Sequence, residues 1–167
     1  ATIVGAGRDQ TTFTYSGTGV AFDGWTDSGG NLQGLGITCS NAAATAIKLG
    51  NKSYFKHLVD VLLMGTGTGS TGCGLLLDGS TSDASDTFSG NLYAQQFYTV
   101  GFKYGVKVTA AAPLTMLTNA IWTTFTFVQS YLIGPSKDVG SYGFYLDKAA
   151  SGTGSSFLGG TIEGFDI

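Results

Sequence analysis

A five-residue pattern of apolar and polar positions recurs five times along the chain. Each copy has a small residue, an apolar residue, a variable residue, a second apolar residue and a turn residue. The copies begin, 27 to 38 residues apart, at Gly19, Ala46, Gly74, Gly105 and Gly143. Apolar residues that alternate in this way are typical of a strand with one face in a core. A less regular strand-like segment follows each copy, at 35–37, 59–61, 97–100, 125–127 and 157–162.

This repeat predicts an all-β solenoid. One copy is too narrow to bury its own apolar face, so the copies must stack about 4.8 Å apart, with equivalent strands paired in parallel sheets around a common core. The variable position then points outward, in a column formed by Ala21, Lys48, Leu76, Lys107 and Tyr145. The rival fold is an up-and-down barrel, but its strands recur about every 8–12 residues without a longer period.

Residues 53–64 fit two local structures. Ser53 is a suitable N-cap, and the apolar residues after it fit the spacing of a helix. The alternative is a strand, and it places five residues on one face: Phe55, His57, Val59, Val61 and Leu63. We prefer the strand because the repeat needs one at this place.

Composition narrows the class of protein. Glycine accounts for 27 of the 167 residues, and Gly, Ser and Thr together for well over a third. Only 11% of the residues are charged and 43% are hydrophobic, which excludes intrinsic disorder and a charged helical bundle. The net charge of −3 and the isoelectric point near 4.7 argue against a nucleic-acid partner.

We expect residues 1–167 to form one β-helix segment, with loop insertions near 80–90, 110–118 and 134–142 where the spacing between copies grows. Both ends of the chain are strand-like, so we interpret it as a fragment of a longer chain. No apolar run approaches the roughly 20 residues of a membrane span, and no signal-peptide pattern is present. We therefore expect no membrane insertion.

Two cysteines, Cys39 and Cys73, are 34 residues apart. The single histidine, His57, cannot complete a zinc site with them, so we expect neither a metal nor another cofactor. The cysteines are interpreted first as two small buried apolar side chains. A disulfide between them is the alternative.

Residues 2–12 (TIVGAGRDQTT) resemble the early-coil signature of pectin-lyase-like right-handed parallel β-helices, and residues 157–164 (FLGGTIEG) resemble a later coil. With its low charge and abundant Gly and Thr, the chain is most similar to bacteriophage tailspike and tail-fibre proteins. The resemblance implies about five right-handed coils in an extracellular homotrimer of the phage tail. It also implies contacts with other virion tail proteins and binding of a bacterial surface polysaccharide, capsule or lipopolysaccharide, which many members also depolymerise.

Two other functions stay open. The chain fits a secreted bacterial polysaccharide lyase or hydrolase of the same fold, and it fits a purely structural spacer of a virion fibre. A fold of this kind does not decide between them.

Glycoside hydrolysis needs two carboxyl groups, about 5–5.5 Å apart for retention or about 6.5–9.5 Å for inversion. Asp23, Asp78 and Asp147 follow copies of the repeat, and carboxylates two coils apart in one column lie about 9.6 Å apart. Asp60 lies between two valines and is expected to point outward if both valines face the core, and Glu163 is the only glutamate. The catalytic candidates are therefore Asp60, Asp78, Asp147 and Glu163. The alternatives are turn-forming aspartates and solvated surface charges.

Sugars are bound by aromatic rings that stack on their apolar faces and by polar groups beside the rings. The candidates for this role are Tyr145, Tyr98, Tyr93, Trp25 and Trp122, together with Tyr104 and Tyr142. Tyr145 is preferred because the repeat places it in the outward column. The alternative for each ring is core packing or a contact between subunits.

Overall fold

The computed structural model describes residues 2–23, 30–50, 56–79, 91–110, 124–136, 138–147 and 156–166. In these ranges the chain forms twelve strands and no helix. Seven strands belong to one sheet: β1 (Thr2–Val4), β2 (Thr12–Tyr15), β4 (Gly30–Cys39), β6 (Lys56–Met64), β8 (Asn91–Val100), β10 (Thr124–Ile133) and β12 (Ser156–Glu163). Five belong to the other: β3 (Val20–Asp23), β5 (Thr45–Gly50), β7 (Cys73–Gly79), β9 (Tyr104–Ala110) and β11 (Tyr142–Leu146).

Each sheet is a parallel stack in chain order. The seven-stranded sheet runs β1-β4-β6-β8-β10-β12, with β2 also paired to β4, and the five-stranded sheet runs β3-β5-β7-β9-β11 in space. Successive strands from β4 onward alternate between the two sheets, so each coil adds one strand to each. The predicted all-β parallel β-helix is confirmed. The rival up-and-down barrel is wrong, because its neighbouring strands would be antiparallel, whereas every strand pair among the described residues is parallel.

The long strands of the seven-stranded sheet bend at one residue in the left-handed backbone region. These residues are stacked in register, with φ between 47° and 69°: Gly34, Asp60, Gln96, Gln129 and Gly159. The bend interrupts the side-chain alternation, so Leu58 and Val61 are both buried although they are three residues apart.

The strand predicted at residues 53–64 is confirmed over Lys56–Met64, but its single face is wrong. Val61 and Leu63 point into the core, whereas His57 is exposed and Val59 is half-buried on the outer face. The cause is the left-handed backbone of Asp60, which shifts the alternation by one residue. Phe55 lies outside the described residues.

The register of the repeat is confirmed for four of its five copies. Ile47, Leu75, Val106 and Phe144 are paired in one inward column. The first copy is shifted by two residues, because Phe22, not Val20, pairs with Ile47. The Phe22 ring packs edge-on against Phe13, with centroids 5.5 Å apart, and this aromatic contact favours the shifted frame. Asp23, not Ala21, therefore begins the outward column.

The core between the sheets is filled by aliphatic side chains in the early coils and by phenylalanines in the later ones. Leu32, Leu58 and Ala94 are followed in the same column by Phe127, whose ring lies 5.8 Å from that of Phe97. Each such aliphatic or aromatic side chain contributes roughly 1.5–3 kcal/mol when fully buried. The core thus stabilises the stack coil by coil.

Cys39 and Cys73 are buried in this core and unpaired. Burial raises the pKa of the Cys39 thiol to about 11 and that of the Cys73 thiol to about 12. The preferred interpretation of two small apolar side chains is confirmed, and the disulfide alternative is wrong.

Candidate functional site

An open groove runs along the outer face of the five-stranded sheet, and we call it the outer groove. It has a volume of about 290 Å³, and it is lined by Ala43, Thr45, Thr71, Gly72, Cys73, Leu76, Asp78, Tyr104, Lys107 and Thr109. Strands β5, β7 and β9 supply most of these side chains, because alternate residues of each strand point away from the core.

Asp78 is the most enclosed charge of the outer groove, with only 8% of its side chain exposed. Its Oδ2 lies 3.2 Å from Lys48 Nζ, and Thr109 Oγ1 donates a 2.9 Å hydrogen bond to its Oδ1. Lys48 Nζ is also 4.0 Å from Asp23 Oδ1. Charge-assisted contacts of this kind hold the carboxylate in one orientation at the floor of the groove.

Three tyrosines, Tyr104, Tyr142 and Tyr145, form a tyrosine cluster at the other end of the groove. Their ring centroids are 5.0 to 6.0 Å apart, and the rings of Tyr104 and Tyr142 are nearly parallel. Lys107 Nζ lies 5.1 Å from the centroid of Tyr104 and 5.6 Å from that of Tyr145. Packed rings with ammonium groups beside them offer an amphipathic platform for a sugar.

Two predicted catalytic carboxylates, Asp78 and Asp147, lie on this face. Asp78 pairs with Thr109, and Asp147 follows the Leu146–Val108 pair, so the two carboxylates occupy one column two rungs apart. Each has a lysine beside it, because Lys107 Nζ is 3.7 Å from Asp147 Oδ2. Asp23 does not belong to this column, which corrects the predicted alignment of the three aspartates: Asp23 pairs with Lys48, which is aligned with Leu76, two positions before Asp78.

Asp60 and Tyr98 lie on the outer face of the seven-stranded sheet, away from the groove. Arg8 Nη1 is 3.3 Å from Asp60 Oδ1, and the Arg8 guanidinium lies 3.9 Å from the centroid of the Tyr98 ring. Tyr131 stacks on the same ring at 4.9 Å. Since both partners lie this close to the centroid, they occupy opposite faces of the ring, and Tyr98 presents only its edge and hydroxyl.

The remaining predicted residues are also apart from the groove. Tyr93 is exposed on β8, where its ring meets the edge of His57 at 5.8 Å. Glu163 is exposed at the end of β12. Trp25 and Trp122 lie outside the described residues.

Two residues at the groove were not among the candidates from the sequence: Lys48, which contacts Asp78, and Thr109. The signal for Lys48 was its place in the outward column. Tyr104 and Tyr142 were among the candidates for sugar binding; each immediately precedes a copy of the repeat, and the two are paired in register.

No group of three His, Cys, Asp or Glu side chains that could hold a metal ion is found among the described residues. Likewise, the described part of the chain contains no helix long and apolar enough to cross a membrane.

Comparisons with protein-family models, with curated proteins and with solved structures gave no match. The fold is therefore assigned from the strand pairing itself. The residues that carry the family resemblance lie in β1 with the turn after it and in β12.

Proposed function

We propose that this chain is a β-helix segment of a bacteriophage tailspike or tail fibre that binds a bacterial surface polysaccharide in the outer groove. The observation that carries this proposal is the continuity of the groove, in which Asp78 and Thr109 lead through Lys107 to the tyrosine cluster. The parallel β-helix and the resemblance of its first and last coils support the virion context.

The groove suits a sugar chain better than a compact ligand. It is open, and it crosses the strands, which repeat about every 4.8 Å. Polar groups from successive coils can therefore meet the hydroxyl groups of successive sugars. The rings of Tyr142 and Tyr145 complete the site, because a pyranose can stack its apolar face on them.

Depolymerisation is the second candidate function, favoured by the shared column of Asp78 and Asp147. Two rungs separate them, or about 9.6 Å, at the upper limit of the spacing for inverting hydrolysis. The Asp78 carboxylate is nearly buried and forms an ion pair with Lys48, so a sugar has little access to it. Binding is therefore the primary proposal.

The outer face of the seven-stranded sheet supports the proposed homotrimer. One outward column combines Gln33 and Gln95 with apolar side chains, and it is formed by Val4, Gln33, Val59, Gln95, Val128 and Leu158. Val4 and Leu158 are 63% and 56% exposed. Such a row is suited to contact between copies, with other tail proteins as further partners.

Purified capsules and lipopolysaccharides from a panel of bacteria test the proposal. We expect the full-length protein to bind at least one of them, and Tyr104→Ala to weaken that binding about tenfold. Tyr93→Ala is the matched control, because it removes an exposed tyrosine from the other sheet, and it should change affinity less than twofold.

Unchanged binding by the Tyr104→Ala variant would contradict the proposal that the outer groove is the binding site. Absence of binding to every glycan would favour a purely structural spacer. New reducing ends in the polysaccharide after incubation would indicate hydrolysis, and unsaturated ends would indicate lyase activity. A trimeric mass in solution supports a spike, whereas a monomer supports a secreted enzyme.

A further inference from the structure

Leu76 gives the outer groove an apolar centre. It is half-buried and lies on β7, the middle one of the three strands that supply most of the groove. Its register partners are Lys48 on β5 and Lys107 on β9. Outward side chains in register are neighbours on a sheet face, so the aliphatic stems of both lysines begin beside Leu76. Part of the groove floor is therefore apolar, although lysines flank it.

The two ammonium groups pair with carboxylates of the protein itself. Lys48 Nζ is 3.2 Å from Asp78 Oδ2, and Lys107 Nζ is 3.7 Å from Asp147 Oδ2. The charged side chains that line the groove, Asp78 and Lys107, are of opposite sign, and each has such a partner. An acidic or basic sugar would meet a like charge as well as an unlike one, so the lining favours a sugar without charge.

Hydroxyl groups border this apolar centre. Thr45 lines the groove from β5, Thr71 from the turn before β7, and Thr109 from β9. A threonine hydroxyl can donate and accept hydrogen bonds, which suits the ring hydroxyls of a sugar. The backbone of β7 at Leu76, in contrast, is paired with β5 and β9, so the sheet itself uses its N–H and C=O groups.

We propose that the outer groove selects a neutral 6-deoxy sugar. The C6 methyl group of this sugar lies on Leu76, its ring hydroxyls meet the threonines, and the neighbouring sugar stacks on Tyr104, which also lines the groove. This inference rests on the proposed function and adds the class of sugar that the groove recognises.

The preference follows from what a hydroxymethyl group would lose at this place. A methyl group on Leu76 leaves water and gains an apolar contact. A C6 hydroxyl in the same position would leave water and meet an isobutyl group in place of a hydrogen-bond partner. An N-acetyl group also carries a methyl, but its amide N–H and C=O need partners, and the backbone of β7 is already paired.

Matched trisaccharides that differ only at C6 test this class of sugar on the full-length protein. One pair is α-linked L-rhamnose against L-mannose, the other is α-linked L-fucose against L-galactose, and a trisaccharide of N-acetylglucosamine is the third kind of probe. In titration calorimetry we expect at least one 6-deoxy trisaccharide to bind about tenfold more tightly than its C6-hydroxyl counterpart and than the N-acetylated probe.

Substitution of Leu76 tests the contact itself. Leu76→Ala should lower affinity for that 6-deoxy trisaccharide about fivefold and leave its C6-hydroxyl counterpart nearly unchanged, because only the methyl contact is lost. Leu76→Met keeps the apolar surface and should retain most of the preference. Leu62→Ala is the matched control, because Leu62 is also half-buried but lies on the outer face of the other sheet. Circular dichroism checks that each variant is folded.

Equal affinity within both pairs, or tighter binding of a C6-hydroxyl or N-acetylated trisaccharide, would overturn the inference, and so would absence of binding to all of them. A preference that persists unchanged in Leu76→Ala would also overturn it. The proposed function is tested apart from this result, because binding of a bacterial capsule that depends on Tyr104 would persist even if the groove did not distinguish the C6 position.

Discussion

The outer faces of the two sheets carry the same kinds of side chain in different arrangements. On the seven-stranded sheet, Arg8 covers the Tyr98 ring and pairs with Asp60, so its charge and the aromatic face satisfy each other. On the five-stranded sheet, Lys103 lies beside the tyrosine cluster, and Tyr104 of that cluster lines the open groove. A binding site therefore needs charged and aromatic side chains that a ligand can reach. The presence of these residue types on a surface does not by itself form a site.

The largest expected effect comes from Gly72, which lines the groove. A Cβ at this position would overlap the backbone oxygen of Ala44, which cannot move without shifting the turn before β5. We expect Gly72→Ala to lower the free energy of unfolding by about 3 kcal/mol, and hence Tm by roughly 6–12 °C, and to abolish glycan binding.

Gly19→Ala is the control for that substitution, because its added methyl would meet only the Tyr15 hydroxyl, at 3.3 Å. It should change Tm little. Thermal unfolding followed by circular dichroism measures both, and an unchanged Tm for Gly72→Ala would show that the backbone beneath the groove is not closely packed.

The ion pairs of the two faces should differ in how much they contribute to the free energy of unfolding. Asp78 is nearly buried, so Asp78→Ala removes the partner of Lys48 and Thr109 and should cost about 2 kcal/mol. Arg8 is more exposed, at 28%, and Arg8→Ala should cost about 1 kcal/mol through its contacts with Asp60 and Tyr98. Urea titration of both variants checks the order, and a larger loss for Arg8→Ala would reverse the comparison.

The two thiols, one in each sheet, make stability depend on pH in the alkaline range. Burial raises the pKa of Cys39 to about 11 and that of Cys73 to about 12, from an ordinary value of 9.0. The unfolded chain therefore loses these protons first, and stability should fall as the pH rises above about 9. Urea titrations at pH 8 and pH 10 measure the fall.

The double variant Cys39→Ala, Cys73→Ala is the control, because it should lose less stability over the same interval. Both thiols should also resist iodoacetamide at pH 8 until urea unfolds the chain. Rapid alkylation of the folded protein would contradict their burial.

The smallest effect concerns the bend that only the seven-stranded sheet has. Gln129 holds a left-handed backbone with φ of 47°, which costs a residue with a side chain more than glycine. We expect Gln129→Gly to stabilise the fold by about 0.5 kcal/mol after the entropy of the unfolded chain is counted. Gln95→Gly, in the same sheet but outside the bend, should destabilise it by a similar amount, and equal signs would contradict the role of the bend.

The periodicity predicted the five-stranded sheet well, because its strands are short and alternate regularly. Ile47, Leu75, Val106 and Phe144 could be aligned from their spacing alone. The seven-stranded sheet was harder to predict. Its bend residues include Gln96 and Gln129, which carry no sequence signal for a left-handed backbone, and Asp60, which carries only a weak one. Each of them displaces the inward positions that follow.

The candidate site was only partly predictable for a similar reason. Tyr145 was predicted on the outer face, and Asp78 and Asp147 in one column, because the repeat fixes the register of equivalent residues. The contacts of Asp78 with Lys48 and of Tyr98 with Arg8 join different coils. Such contacts depend on side-chain conformations that the repeat does not determine. The spacing of residues therefore could not distinguish Tyr98, whose ring is covered by Arg8, from the tyrosines beside the groove.

The most direct test of the account is a crystal structure of the protein soaked with an oligosaccharide from a capsule that it binds. The account predicts sugar density in the outer groove, with one ring stacked on Tyr142 or Tyr145 and polar contacts reaching Thr109. Density on the outer face of the seven-stranded sheet, beside Tyr93 or Tyr98, with an empty groove would contradict it.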